Sequence, residues 1–542
     1  MTSSEPHGGE SVPQREFRLD LLAALALGLA VTIFYAVWPA HDTRNWDALT
    51  AAGCLVFWDR LSWAQVLHFA HPLVFPVTRL FQFGLPGLSP LMVVTVTESA
   101  FMGLCASLLF GAGRASGAGR WFACFPGLIL ALSTGLWVVT TSGEEKPMGT
   151  AIALLFTVLY LSSAGAFAEH YPRVPETRLT ALCLAGLLWL ALMAHLVNGL
   201  LFGLVGLTAG VRWLQGQKEQ LVSAGIILGL GVPASLLSYV ALGLWVHHQP
   251  GLAALPAWLT QYHYDTYFQP DQSVVTALTQ SGLGIWQALL GEPLPSAGWA
   301  LLLVAVCLLV ELVALIALVR RGRLGAAVGL AGFLAVSFVN SMYFAALIPE
   351  SWLEIIVFAL LPASMAMASP KAGLNVGGVL AGLLVLVFAG RHLPVMTASW
   401  HGQNHHQNLA RLVAREADGG IVLHNYLYLQ HYLLMEQGIE PILWGNLYAV
   451  GRPRLEVMGA YQTPYRSVFY DTKATIDSVN LKLEQGTPVF ALGLEVPQET
   501  ATLRSLAELG PHKTLVVSTP PRNGQAGEVR FRLWKVLRLK PG

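Results

Sequence analysis

The chain has 542 residues, 54% hydrophobic and only 12% charged, with a mean hydropathy of +0.55. That balance excludes a string of soluble domains and specifies a polytopic membrane protein. A net charge of +1 leaves no basic excess to suggest a nucleic-acid partner. The five cysteines (Cys54, Cys105, Cys124, Cys183, Cys307) contain no CxxC pair and lie almost wholly in apolar stretches, as small buried residues do.

Residues 1–17 are polar and are expected to be disordered. The apolar run from Leu21 to Ala40 is too long for a signal-peptide core and reads as a retained helix. Apolar runs of membrane-spanning length predict eleven spans in all. They fall near 19–39, 88–111, 121–141, 147–166, 178–194, 197–213, 220–246, 297–319, 324–345, 351–368 and 374–390. Basic residues fall in alternate short connections: Arg15 and Arg18, Arg114 and Arg120, Arg173 and Arg178, Arg212 and Lys218, Arg320 to Arg323, and Lys371. This alternation predicts a cytoplasmic N-terminus. The opposite, extracytoplasmic side then receives loop 40–87, the turn at 142–147, the His195–Asn198 turn, loop 247–296 and everything after 390.

Chemistry-bearing residues collect on that side. Loop 40–87 contains Asp42, Asp47, Asp59, His68, His71 and Arg79, a charge density that is costly beside a bilayer unless it lies in water or lines a cleft. Asp47 has two readings, the N-cap of a helix starting at Ala48 or a general base for an acceptor hydroxyl. Asp42 is the alternative base, or an interfacial anchor. His71-Pro72, with Pro76 and Arg79, reads as a turn running into an amphipathic surface segment, with Arg79 available to a phosphate.

Glu144, Glu145 and Lys146 precede Pro147 at a helix start. They either complement the helix dipole or supply a second acid facing Asp47, with Lys146 reaching a lipid phosphate. His195 and Asn198 sit in a tight turn, structural or substrate-facing. His263 and Asp265 lie among tyrosines that suit either a sugar face or an interfacial aromatic belt. Arg391 and His392 end the last span, as a phosphate clamp or as interface markers.

From residue 391 to 542 the pattern changes. Helical periodicity near 407–417 and 498–509 alternates with short apolar runs at 419–424, 487–494, 513–519 and 529–537, which predicts a small α/β domain. The fold class is therefore an α-helical membrane protein of about eleven helices, residues 18–390, carrying an extracytoplasmic α/β domain at 391–542.

Together, Asp47 after the first helix, His71-Pro72-Leu73-Val74-Phe75-Pro76 and Gly143-Glu144-Glu145-Lys146 resemble motifs of the polytopic GT-C glycosyltransferases, nearest to the O-mannosyltransferase-like group. The likeness covers about the first 170 residues, with Leu73-Val74 where that group usually has Pro-Gly. The resemblance implies a sugar donor on a polyprenyl phosphate and an acceptor hydroxyl on a protein, lipid or polysaccharide. It further implies inversion at the anomeric carbon and Asp47 as base, with Glu144 or Glu145 as the second acid. Lys146, Arg79 or Arg391 would stabilise the leaving phosphate. The resemblance makes no cofactor certain; a divalent cation is admitted but not demanded. The rival reading, a transporter or flippase of a polar lipid, needs charges at the midplane, where Glu98, Glu311 and Glu354 are the main ones.

Overall fold

The structure, a computed structural model, describes residues 12–540 except 41–45, 57, 61–62, 68–69, 144, 168–173, 263–270, 292–295, 345, 368–375, 400–404, 425, 427–428, 430–431, 434–436, 444–471 and 523–524. In chain order the first helices are α1 (Val12–Val37), α2 (Trp46–Val56), α3 (Trp63–Val66), α4 (Val74–Gly84), α5 (Pro90–Ala115), α6 (Arg120–Leu132) and α7 (Thr134–Thr141). Next come α8 (Lys146–Ser163), α9 (Arg178–Ala194), α10 (Leu201–Leu214), α11 (Glu219–Ala241), α12 (Leu255–Tyr262) and α13 (Val274–Leu290). The helical region closes with α14 (Ala297–Arg320), α15 (Leu324–Tyr343), α16 (Leu353–Ala366) and α17 (Val376–Ser399).

Among the described residues nine helices are long and apolar enough to cross a membrane, and α6 with α7, bent by 64°, makes a tenth. The remaining expected crossing, α9, has 17 residues. Two expectations are corrected. Helix α1 starts at Val12, so helix reaches into the stretch expected to be disordered. The expected loop 247–296 contains α12 and α13; the Thr, Gln, Ser and Gly residues of α13 broke the apolar run by which spans were recognised.

The chain divides into two compact units: Met1–Pro39, Phe69–Pro76 and Thr95–Thr397 form one, and Ala40–His68, Val77–Val94 and Ala398–Gly542 the other. In the first unit α1 and α5 approach until Cβ atoms at Gly28 and Gly103 would lie 2.7 and 2.4 Å from each other's carbonyl oxygens, so only glycine fits either position. Asp20 of α1, buried, binds Arg114 at 2.7 Å and Arg120 at 2.6 Å. Ser133 is extended and breaks α6 from α7, which frees carbonyls of the last turn of α6. The Tyr35 hydroxyl donates to Leu130 and Ala131, and Nδ1 of His392 bonds the Leu132 oxygen. A sharp bend inside the apolar bundle is thus left with its carbonyls satisfied.

The second unit contains α2, α3 and a three-layer α/β domain. Its further elements are α18 (His405–Ala417), β1 (Ile421–His424), β2 (Glu440–Leu443), α19 (Thr472–Glu484), β3 (Val489–Leu494), α20 (Pro497–Leu506), β4 (Ala507–Arg522) and β5 (Gln525–Leu539). The sheet order is β2-β1-β3-β5-β4, with β1 parallel to β2 and β3, and β5 antiparallel to β3 and β4. Successive strand residues face opposite sides. Ile421, Leu423 and Val489 pack with α19 and α20, whereas Val422 and Leu492 pack with α18. The four expected strands are present; β2, four residues containing Pro441, is additional. The last apolar helix, α17, runs through Arg391 to Ser399.

Candidate functional site

The site is built on the stretch between α3 and α4. Leu196 donates its backbone N–H to Ala70 at 3.0 Å and Leu73 donates to Met193 at 3.2 Å. The His71-Pro72 dipeptide is therefore pinned on both sides to the end of α9 and the turn after it. Val74 donates to the His71 carbonyl at 3.2 Å and closes the turn. The imidazoles of His71 and His195 consequently face each other, with ring centres 5.3 Å apart.

Nε2 of His71 lies 2.9 Å from Oε1 of Glu145. Glu145 is the N-cap of α8 and is buried, but its side chain makes no cap hydrogen bond, so the carboxylate is directed to the histidine instead. Gly143, in the left-handed region at φ +82°, turns the chain into this position. A carboxylate on Nε2 favours the tautomer with its proton there and strengthens the base at the other nitrogen. Lys146 follows as the first residue of α8 and acts electrostatically on Glu354, near the start of α16.

Around this pair, three polar side chains fix the backbone. Asn198, fully buried, donates from Nδ2 to Ala191 at 2.7 Å and to Gly149 at 3.1 Å, tying the turn after α9 to α8. His195 caps that turn, its Nδ1 accepting from the Val197 N–H at 3.3 Å. Glu98 of α5, 1% exposed, accepts the Met148 N–H at 3.1 Å and so satisfies an orphan donor in the first turn of α8. The charge of Glu145 acts on it in turn.

The structure thus brings together His71, Glu145, Lys146 and His195 of the residues expected from sequence. Arg79 lies in the other unit, its guanidinium over Trp58 and Phe83 and hydrogen-bonded to Leu55 and Gln82. Arg391 is exposed on α17. His392 is buried beside Phe388 and engaged with Leu132, which assigns it to the fold and corrects the reading of it as half of a phosphate clamp. The helix carrying Asp47 starts at Trp46, so Asp47 is its second residue and not a cap before Ala48. Asp42, Glu144, His263, Asp265 and the Asp47 side chain fall outside the described residues. Sequence reasoning left Glu98 and Glu354 out of the site; their signal was an isolated acid inside an apolar run. Among the described residues no group of three or more His, Cys, Asp or Glu is placed to hold a metal ion.

No family model matches the chain, and no curated protein matches it in sequence. Solved structures do match in fold. ArnT from Cupriavidus metallidurans bound to undecaprenyl phosphate is similar at a TM-score of 0.57 and 14% identity, over 95% of this chain and 98% of that one. Its apo state is similar at 0.56 and 14%, over 96% and 98%. The apo oligosaccharyltransferase of Archaeoglobus fulgidus gives 0.48 and 9%, over 90% and 70%. At such identities the likeness is one of fold, and the chain is a polytopic helical membrane protein with a GT-C-like fold.

Proposed function

We propose that the protein is a membrane glycosyltransferase that moves a sugar from a polyprenyl phosphate to an acceptor hydroxyl, with inversion at the anomeric carbon. The observation that carries this reading is the His71–Glu145 pair, held at 2.9 Å by backbone bonds on both sides of His71. Support also comes from the fold of ArnT, a protein solved with undecaprenyl phosphate, and from the motif resemblance around Asp47 and His71. Positive charge in alternate connections supports a cytoplasmic N-terminus, with the site and the α/β domain outside. An outward site calls for a donor that crosses the membrane already built, as a lipid-linked sugar is.

In this reading Asp47 takes the proton of the acceptor hydroxyl as its oxygen attacks the anomeric carbon. The carbon passes through an oxocarbenium-like state while its bond to the phosphate oxygen breaks. Glu145 holds the His71 imidazole in one orientation toward the substrate. Lys146 supplies positive charge where the leaving phosphate gathers negative charge.

The test is mass spectrometry of lipids that co-purify with the wild type, Asp47→Asn and Glu145→Gln proteins, together with analysis of the cell's surface glycans. The expected result is a polyprenyl-phosphate sugar enriched on the Asn variant and one glycan lost in both variants. Unchanged glycans in both variants, with equal amounts of the same sugar-lipid on all three proteins, would overturn the proposal.

A further inference from the structure

Helix α16 starts beside the Lys146 end of α8 and finishes, at Ala366, against the turn between α14 and α15. That turn is Arg321-Gly322-Arg323, with Gly322 in the left-handed region at φ +75°. Arg321 donates from Nη1 to the Met365 oxygen at 2.8 Å and from Nη2 to the Ala366 oxygen at 2.9 Å. Its guanidinium is therefore fixed by the last carbonyls of α16, where a cation also complements the helix dipole.

Arg323 is different. It is half-buried, its Nη1 is shielded from solvent, and it makes no hydrogen bond or ion pair among the described residues. Burial and the neighbouring charge of Arg321 both work against its charged form. A guanidinium does not lose its proton in a protein, and an anion beside it would offset both effects. No acidic side chain among the described residues pairs with it; its charged neighbours are cations, Arg320 and Arg321 in the chain and Arg212, whose stem runs past Gly325.

The surroundings indicate what carries the anion. Leu308, Leu309, Leu312, Val313 and Val319 of α14 are all exposed. A face of this kind on a membrane-spanning helix lies against acyl chains, and it ends at Val319, two residues before Arg321. We propose that Arg321 and Arg323 form a binding site for the phosphate of an anionic membrane lipid, whose acyl chains lie along the exposed face of α14. Arg323 supplies unpaired N–H donors with the planar geometry that matches two phosphate oxygens. Arg321, already oriented by α16, adds the second charge, and the bound phosphodiester joins α14, α15 and α16 at one end.

The test uses the full-length protein in nanodiscs of phosphatidylcholine, with and without phosphatidylglycerol of the same acyl chains. Bound lipid is counted by native mass spectrometry, and thermal unfolding is followed in parallel. Wild type is expected to retain phosphatidylglycerol over phosphatidylcholine and to be stabilised by it. Arg323→Gln should lower that retention about fivefold and abolish the stabilising increment, while Arg323→Lys should retain part of it. Arg320→Gln removes the same charge one residue outside the site and should behave as wild type. Equal loss in Arg320→Gln and Arg323→Gln would mean a diffuse surface potential and would overturn the site. So would an unchanged Arg323→Gln. If inorganic phosphate in pure phosphatidylcholine discs reproduces the stabilisation, the anion is soluble and the lipid assignment fails.

Discussion

The imidazole of His71 and the carboxylate of Glu145 meet at 2.9 Å although one lies just before α4 and the other at the N-cap of α8. Each is held by its own backbone, His71 by Ala70 and Leu73 and Glu145 by the α8 start that Glu98 satisfies. Glu145→Gln keeps the shape and a hydrogen-bond acceptor but removes the charge that orients the imidazole. Glycosyl transfer should fall by about 10²-fold or more with little change in unfolding temperature. The double variant with His71→Asn should be no worse than the poorer single variant, because the two side chains act as a unit. Additive losses in a transfer assay would contradict this.

Gly149 is where α8 passes the His195 turn. A Cβ at this position would lie 2.7 Å from Cβ of His195, closer than atoms of this kind approach. Gly149→Ala should therefore push the His195 turn away and destabilise the protein by about 1–3 kcal/mol. Because Leu196 of the same turn donates the bond that pins Ala70 beside His71, transfer should fall further than the folded fraction does. Unfolding temperature and activity per folded molecule are the two readings to compare.

Asn198 donates both amide hydrogens to buried carbonyls, those of Ala191 and Gly149. Asn198→Ala removes both bonds that tie the turn to α8 and α9 and should cost about 1–3 kcal/mol. Asn198→Asp should be worse than alanine, since it sets a carboxylate against two carbonyl oxygens. Thermal unfolding in detergent ranks the three proteins, and an aspartate variant as stable as wild type would refute the assignment.

His424 ends β1 fully buried, its Nδ1 accepting the Tyr426 N–H at 3.2 Å. Burial pushes its ionisation down to about 3 from the ordinary 6.5. The unfolded chain thus binds a proton that the folded domain refuses between those values. Stability is fully present above pH 6.5 and is lost as pH falls toward 3, by up to about 1.4 kcal/mol per pH unit. Hydrogen exchange of the β1 amides should show protection falling over this range, and His424→Asn should flatten the slope. A slope unchanged in that variant would assign the acid sensitivity elsewhere.

Much of this architecture was legible as sequence because the bilayer leaves few solutions. Ordered backbone in hydrocarbon must be helical, so runs such as 297–319 declare themselves by length and apolarity. The strands of the α/β domain were readable for a similar reason: a sheet covered on both faces needs short continuous apolar runs, as in Ile421-Val422-Leu423. Helix α13 escaped because its polar residues interrupt the run.

The sequence by itself determined the helical membrane class, the α/β domain and the candidacy of His71 and Glu145, since these follow from local composition and short motifs. Tertiary structure alone decided that His71 meets Glu145, that Glu98 secures the start of α8, and that His392 serves the bend at Ser133. Such partners are separated by whole helices, and a side chain's role in an apolar bundle depends on which distant donor or acceptor the packing brings within hydrogen-bond reach.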